Sequence, residues 1–172
     1  MKGILLFAAL AAISTGGAQA HIGWDLKTCL DRYGREVRLG KTANAGEIHY
    51  FTVNDGDINI SVILRNDKVK EIFYRKAFGK NFSPDEIDIL QKKNQAELLG
   101  YEGIEWSSDS DSAATTRVWL LTRQAKPGLQ SILTNQGTAE EPGFVLIIRT
   151  WDQIAVDKEA AKQDQLDKLK SL

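Results

Sequence analysis

The chain is poor in the residues that staple a small fold or carry hydrolytic chemistry: among 172 residues there are one Cys, one Met, three Pro and two His. A single Cys, Cys29, excludes an internal disulfide framework. With only His21 and His49 available, a Ser-His-acid triad has little material, and no Gly-x-Ser-x-Gly elbow accompanies them. There is no Walker motif, no Rossmann fingerprint and no Gly-rich phosphate loop after a strand. Neither sign of charge prevails, since 22 Lys plus Arg face 23 Asp plus Glu, so no electrostatic footprint for nucleic acid or for an anionic membrane surface is present. A hydrophobic fraction of 42% suits one ordinary globular domain rather than a disordered or collagen-like chain.

What is present begins with a leader. Met1-Lys2-Gly3 precedes the apolar run Ile4 to Ile13, and Ala18-Gln19-Ala20 forms the small-x-small pattern that a signal peptidase accepts. The run is about ten residues, against the roughly 20 that a membrane-spanning helix needs. No later stretch approaches that length. The expectation is therefore a signal peptide over 1–20, cleavage after Ala20, and a mature, soluble, secreted or periplasmic chain that starts at His21 and has no membrane span.

Residues 25 to 33 carry Leu26, Cys29, Leu30 and Tyr33 at helical spacing, with Gly34 where a left-handed cap falls. This predicts a short amphipathic helix that buries Cys29. Glu47 to Asn54, the alternating Ile58-Ile60-Val62-Leu64 run and Val69 to Arg75 follow, separated by Asn54-Asp55-Gly56-Asp57 and Arg65-Asn66-Asp67-Lys68. They predict a three-stranded antiparallel meander. Ser83-Pro84-Asp85-Glu86 then supplies a capping box and a proline at the first helical position, and Ile87, Leu90, Asn94 and Leu98 keep the helical period until Gly100. Ser107 to Thr116 reads as a polar loop. Runs over 117–123, 129–135 and 143–151, separated by Lys126-Pro127-Gly128 and Glu140-Glu141-Pro142-Gly143, predict a second meander. From Asp152 the composition favours a helix with a narrow stripe of Leu166, Leu169 and Leu172, either a solvated terminal helix or tail or one that binds a partner. The fold class expected is α+β: two helix-plus-antiparallel-meander halves, about 21–78 and 79–151, forming one two-layer domain, with 152–172 as a C-terminal helix or tail.

Gly23-Trp24-Asp25-Leu26, the helix ending at Tyr33-Gly34, the Tyr50 strand and the Ile58 to Tyr74 hairpin with Lys68-Val69 at its turn resemble the SmpA/OmlA type of module. That family includes the BamE-like envelope lipoproteins and is similar in architecture to the β-lactamase-inhibitor-protein fold. The resemblance covers roughly residues 23 to 75; the remainder resembles uncharacterised secreted bacterial proteins. Two departures stand out. The family's Gly-x-Pro after the first helix is here Gly34 followed by Arg35 and Glu36, and its lipidated Cys is absent, so membrane anchoring does not carry over. The resemblance implies a protein-binding or envelope-assembly scaffold rather than an enzyme.

Candidate chemistry is sparse. A Cys29–His49 pair would need a thiol that the helical pattern places on an apolar face, where thiols are inert. If cleavage makes His21 the N-terminus, its amine and ring could chelate Cu(II) with His49 as a third nitrogen ligand; equally, His21 is the residue that follows the cleavage site and His49 a strand residue with a polar tip. Asp109-Ser110-Asp111-Ser112 opens like an EF-hand loop, but Ala113, Ala114 and Leu120 occupy positions five, six and twelve, which excludes that calcium motif. Carboxylate pairs for glycoside hydrolysis could be drawn from Glu102, Glu105, Asp109 and Asp111, but sequence gives no separation between them. The aromatics, with Trp24, Trp106, Trp119 and Trp151 at element ends, either plug the core or anchor a partner. The expected partner-binding set is Tyr101, Trp106, Asp109 and Asp111, with another envelope or extracellular protein as the partner and no cofactor. The function expected is a secreted, non-enzymatic binding or envelope-assembly module; the alternatives are a copper-binding protein using His21 and His49, or a secreted enzyme inhibitor whose 107–116 loop enters an active site.

Overall fold

The computed structural model describes residues 21–34, 38–42, 46–53, 58–77, 79–96, 98, 100–108, 116–124, 126–138, 140 and 142–170. The expected leader, the Asn54 to Asp57 turn, and Asp109 and Asp111 lie outside the described residues.

Among the described residues, three helices and one eight-stranded antiparallel sheet make up an α+β fold. The helices are α1 (Leu26–Tyr33), α2 (Pro84–Gln95) and α3 (Trp151–Lys170). The strands are β1 (Arg38–Thr42), β2 (Gly46–Val53), β3 (Ile58–Arg65), β4 (Lys68–Lys76), β5 (Ser107–Ser108), β6 (Thr116–Arg123), β7 (Lys126–Asn135) and β8 (Phe144–Thr150). Their spatial order is β1-β2-β3-β4-β8-β7-β6-β5, so two runs of sequential neighbours meet where β4 pairs with β8.

Local chemistry explains the helix starts. Asp25 caps α1, its Oδ1 accepting from the Thr28 backbone N–H at 2.8 Å, and Gly34 takes φ 77° at the far end, where a side chain would be strained. Ser83 and Glu86 close a reciprocal capping box on α2: Ser83 N–H donates to Glu86 Oε2 at 2.7 Å and Glu86 N–H to Ser83 Oγ at 3.2 Å. In the β3–β4 hairpin Asn66 and Asp67 take φ 50° and 56°, the left-handed pair that a two-residue turn needs to match strand twist.

Cross-strand partners share a sheet face, which sorts the side chains. Phe51, Ile60, Val62, Ile72, Tyr74, Leu146, Ile148, Leu129 and Leu121 follow one another across the ladder on a single face and are fully buried with Cys29, Ile87 and Leu90 of the two helices that cover it. The opposite face carries Ser61, Glu71, Arg149 and Gln130, and the first turns of α3 cap its middle with Gln153 and Ile154 buried. Strand β3 is consequently buried on both sides at Ser61 and Ile63 as well as Ile60 and Val62, which a strictly alternating pattern does not announce.

Several sequence expectations are corrected. There are four strands on each side of the β4–β8 seam rather than three, because β1 and the two-residue β5 add an edge apiece. Lys126-Pro127-Gly128 is not a separator: it opens β7, with Pro127 opposite Thr122 just beyond a register irregularity at Leu121/Thr122, a place where a missing N–H is tolerated. Helix α2 stops at Gln95, short of Gly100. Trp151 starts α3 instead of ending a strand and is 37% exposed. Beyond its first turns α3 runs through solvent, with Leu166 and Leu169 exposed.

Candidate functional site

Helix α2 does not lie flush on the sheet. Between it, the face of β6 and β7, and the strap formed by residues 102–106 runs an open groove of about 790 Å³. That volume falls within the usual range of ligand clefts, about 300–1,000 Å³.

Register decides which strand side chains reach the groove. Arg117 pairs with Leu133, and Trp119 with Ser131, so all four point to the face that α2 covers. Trp119 is half-buried against the core cluster and Leu133 is buried. From the helix come Ile87, Asp88, Gln91, Lys92 and Gln95, and from the strap Glu102, Ile104, Glu105 and Trp106.

The strap is held firmly. Gln95 uses both ends of its amide: Nε2 donates to the carbonyls of Tyr101 at 2.6 Å and Ile104 at 2.7 Å, and Oε1 accepts the Trp106 indole N–H at 3.1 Å. Arg123 donates to the Gly100 carbonyl at 2.7 Å. Tyr101 packs over Gly128 so closely that a Cβ there would lie 2.7 Å from its ring. A groove wall fixed in this way needs little ordering when a ligand enters.

Polar chemistry continues beneath the helix. Asn94 is fully buried and satisfied: its Oδ1 accepts from the Ile22 backbone N–H at 3.0 Å, and its Nδ2 donates to Tyr74 Oη at 3.2 Å and to the Leu90 carbonyl at 2.8 Å. Gln91, 5% exposed and on the groove wall, has no hydrogen-bond acceptor for its Nε2 among the described residues. Ser131 Oγ, fully buried behind Trp119, likewise has no partner among them. Buried polar groups in that condition cost about 1–3 kcal/mol each.

Charges of both signs rim the groove. Asp88 and Lys92 pair on α2 at 2.8 Å. Backbone N–H groups of Glu102 and Gly100, assisted by Arg123, hold the Glu102 carboxyl below the usual range. Glu105 and Arg117 are exposed and make no ion pair among the described residues.

Of the expected partner-binding residues, Trp106 lines the groove, while Tyr101 is half-buried against Gly128 and props the strap instead of facing the cleft. Arg117, Trp119 and Gln91 were not singled out as a set by sequence reasoning. The β6 and β7 registers that bring them together depend on the irregularity near Pro127, and no local motif announces it. The two histidines lie apart in environment: His21 stacks on Trp24 with ring centroids 4.5 Å apart, and His49, 2% exposed, lies 3.7 Å from Glu47 Oε2. Among the described residues no three His, Cys, Asp or Glu side chains converge on one point. Cys29 is fully buried, and desolvation, with Asp25 nearby, pushes its thiol up to about 12.

A second ionisable cluster lies under α3. Arg149 donates to Gln130 Oε1 at 2.9 Å, pairs with Asp157 at 3.2 Å and lies 3.9 Å from Glu71. Burial first, and Asp157 second, raise the Glu71 carboxyl to about 7 while Arg149 pulls the other way.

No family model matches the chain, and neither does any curated protein sequence. Solved structures similar to it include an extracellular protein containing an SCP domain from Bacillus anthracis, at 11% identity and TM-score 0.48, covering 90% of this chain and 53% of that one. A cysteine-rich secretory protein from Staphylococcus aureus matches at 11% identity and TM-score 0.40, covering 78% and 46%. The chain thus spans about half the length of either, and no functional property passes from them to it. The resemblance of residues 23–75 to the SmpA/OmlA module is corrected by these findings: the structural neighbours are SCP-domain and cysteine-rich secretory proteins. The residues behind that resemblance, a capped helix before a hairpin, satisfy local requirements that unrelated sheets share.

Proposed function

We propose that the protein is an exported, non-enzymatic binding module that engages another envelope or extracellular protein through the groove between α2 and strands β6 and β7. Export rests on the leader pattern over 1–20 with cleavage after Ala20. In this reading the chain is one domain whose two helix-plus-strand halves join at the β4–β8 seam, the N-terminal half as scaffold and the C-terminal half as the binding side.

The observation that carries the binding role is the pairing of two tryptophans, Trp106 and Trp119, across a pre-formed groove whose strap is pinned by Gln95. Tryptophan is the residue type most enriched among interface hot spots, because one side chain brings large apolar area at low entropy cost. A rigid wall adds affinity by lowering the ordering cost of association.

The test places a photocrosslinking side chain at Glu105, identifies the protein captured in the native envelope or culture fraction, and measures its affinity for the purified chain. Trp119→Ala is expected to weaken that purified pair at least tenfold while the melting transition stays cooperative. Unchanged affinity in Trp119→Ala overturns the groove as the binding surface.

A further inference from the structure

We propose that α3 is a pH-sensitive latch: its first turns stay docked on the sheet while Glu71 is protonated and let go when Glu71 ionises. The joint between helix and sheet is built around one cation and two carboxylates. Arg149 Nη1 lies 3.2 Å from Asp157 Oδ2 of α3 and 3.9 Å from Glu71 Oε1 of β4, while Arg149 Nε donates to Gln130 Oε1 of β7 at 2.9 Å. With Glu71 neutral, Arg149 and Asp157 balance each other across the joint. Once Glu71 ionises, two negative charges face one guanidinium, and Glu71 is 4% exposed, away from the water that would screen it.

Few groups face Glu71. From β8 comes Arg149, directly opposite it in register, and from β3 the apolar Ile63. Strand β7 brings the neutral Gln130 beside Arg149. Helix α3 brings Asp157; Asp152, nearer the helix start, is paired with Lys70 of β4 at 2.9 Å. Arg149 is thus the cation that the two carboxylates share.

Linkage sets the direction. Asp157 travels with α3, and the same turns of helix keep water off Glu71. Burial first, and Asp157 second, raise the Glu71 carboxyl to about 7 against the pull of Arg149. Undocking removes Asp157 and returns water, so the released state holds the Glu71 proton less tightly than the docked one. By reciprocity, loss of that proton favours release, and a given ratio of proton affinities between the two states is the same ratio in the docking equilibrium.

Helix α3 is held by little. Gln153 and Ile154 are its buried residues, Gln153 Oε1 has no hydrogen-bond donor among the described residues, and residues 161–170 are exposed. An element anchored in this way opens at the low end of a protein's stability range, where one titrating group is enough to bias it.

The experiment places spin labels at Thr122→Cys and Lys162→Cys, both exposed positions, in the folded full chain. Cys29 is fully buried and stays unlabelled. The distance between the labels is read by pulsed electron–electron double resonance at about pH 5.5 and about pH 8.5, on either side of the Glu71 value. A single narrow distance is expected at the lower pH, and a released population roughly tenfold larger at the higher. Amide hydrogen exchange in β3 and β8 is expected to stay slow at both, which separates release from unfolding. Glu71→Gln and Glu71→Met, neither of which can ionise, are expected to keep the narrow distance throughout, and the Met variant carries the test if the Gln variant does not fold. An unchanged distance in the parent chain, the same broadening in the variants, or loss of β3 and β8 protection together with the narrow distance overturns the latch.

Discussion

Helices α1 and α2 cover the same sheet face, each starts from a side-chain cap, and yet one seals its side and the other leaves a groove. Under α1 the buried contribution is Cys29, continued by a row of rings in which His21 stacks on Trp24, Trp24 tilts on Tyr33, and Tyr33 packs on Phe51 at 5.3 Å. Under α2 the inner face alternates Ile87 and Leu90 with Gln91, Asn94 and Gln95. Apolar shapes close-pack against each other, but amides require partners at set distances, and those of α2 tie it to Ile22, to Tyr74 and to the strap. The groove opens on the side where the helix's inner face is rich in amides.

The sharpest way to break the sealed side is Phe51→Ala, which removes a fully buried ring between Tyr33 and the sheet. A loss of about 3–5 kcal/mol is expected from urea unfolding, with binding of the crosslinked partner at the groove unchanged in the surviving folded fraction. On the amide side, Asn94→Ala strips the side-chain acceptor from the Ile22 N–H and one hydrogen bond from Tyr74 Oη, and about 2–3 kcal/mol should be lost, together with faster hydrogen exchange at Ile22.

The opposite face extends the comparison through pH. Burial raises Glu71 from 4.5 to about 7, so the folded state holds this proton more tightly than the unfolded chain. The associated stability is fully present below about pH 4.5 and is lost as pH rises through about 7, an effect on the order of 2–3 kcal/mol, with the pull of Arg149 already part of that value. Melting temperatures from pH 4 to pH 8 should show that decline, and Glu71→Gln should flatten it. The smallest effect concerns Ser131, whose buried hydroxyl has no partner among the described residues. Ser131→Ala is expected to stabilise the fold by up to about 1 kcal/mol in the same unfolding assay, a sign opposite to that of Asn94→Ala.

Much of the architecture was legible locally. Asp25 and Gly34 bound α1, the Ser83–Glu86 box starts α2, and Asn66-Asp67 closes the β3–β4 hairpin, because each satisfies backbone geometry within four residues of itself. The edges were not: β1 and β5 have no apolar alternation to betray them, since an edge strand buries little. Pro127 reads as a breaker until the bulge opposite Thr122 makes room for it. The site was half legible. Trp106 stood out as an aromatic beside a polar stretch, but Tyr101 proved to be its support, and Trp119, Arg117 and Gln91 join it only through sheet register and helix placement.

The sequence by itself determined where helices begin, which strand faces are apolar, that Cys29 is buried, and that no described helix is long and apolar enough to cross a membrane. Periodicity and capping act over a few residues and so are written into the chain directly. Only the tertiary structure decided that β4 meets β8 and that Gln95 pins the strap beside α2, which places Trp106 and Trp119 across one groove. Those outcomes come from pairings between residues tens of positions apart, whose energies depend on packing and hydrogen-bond geometry that no local pattern encodes.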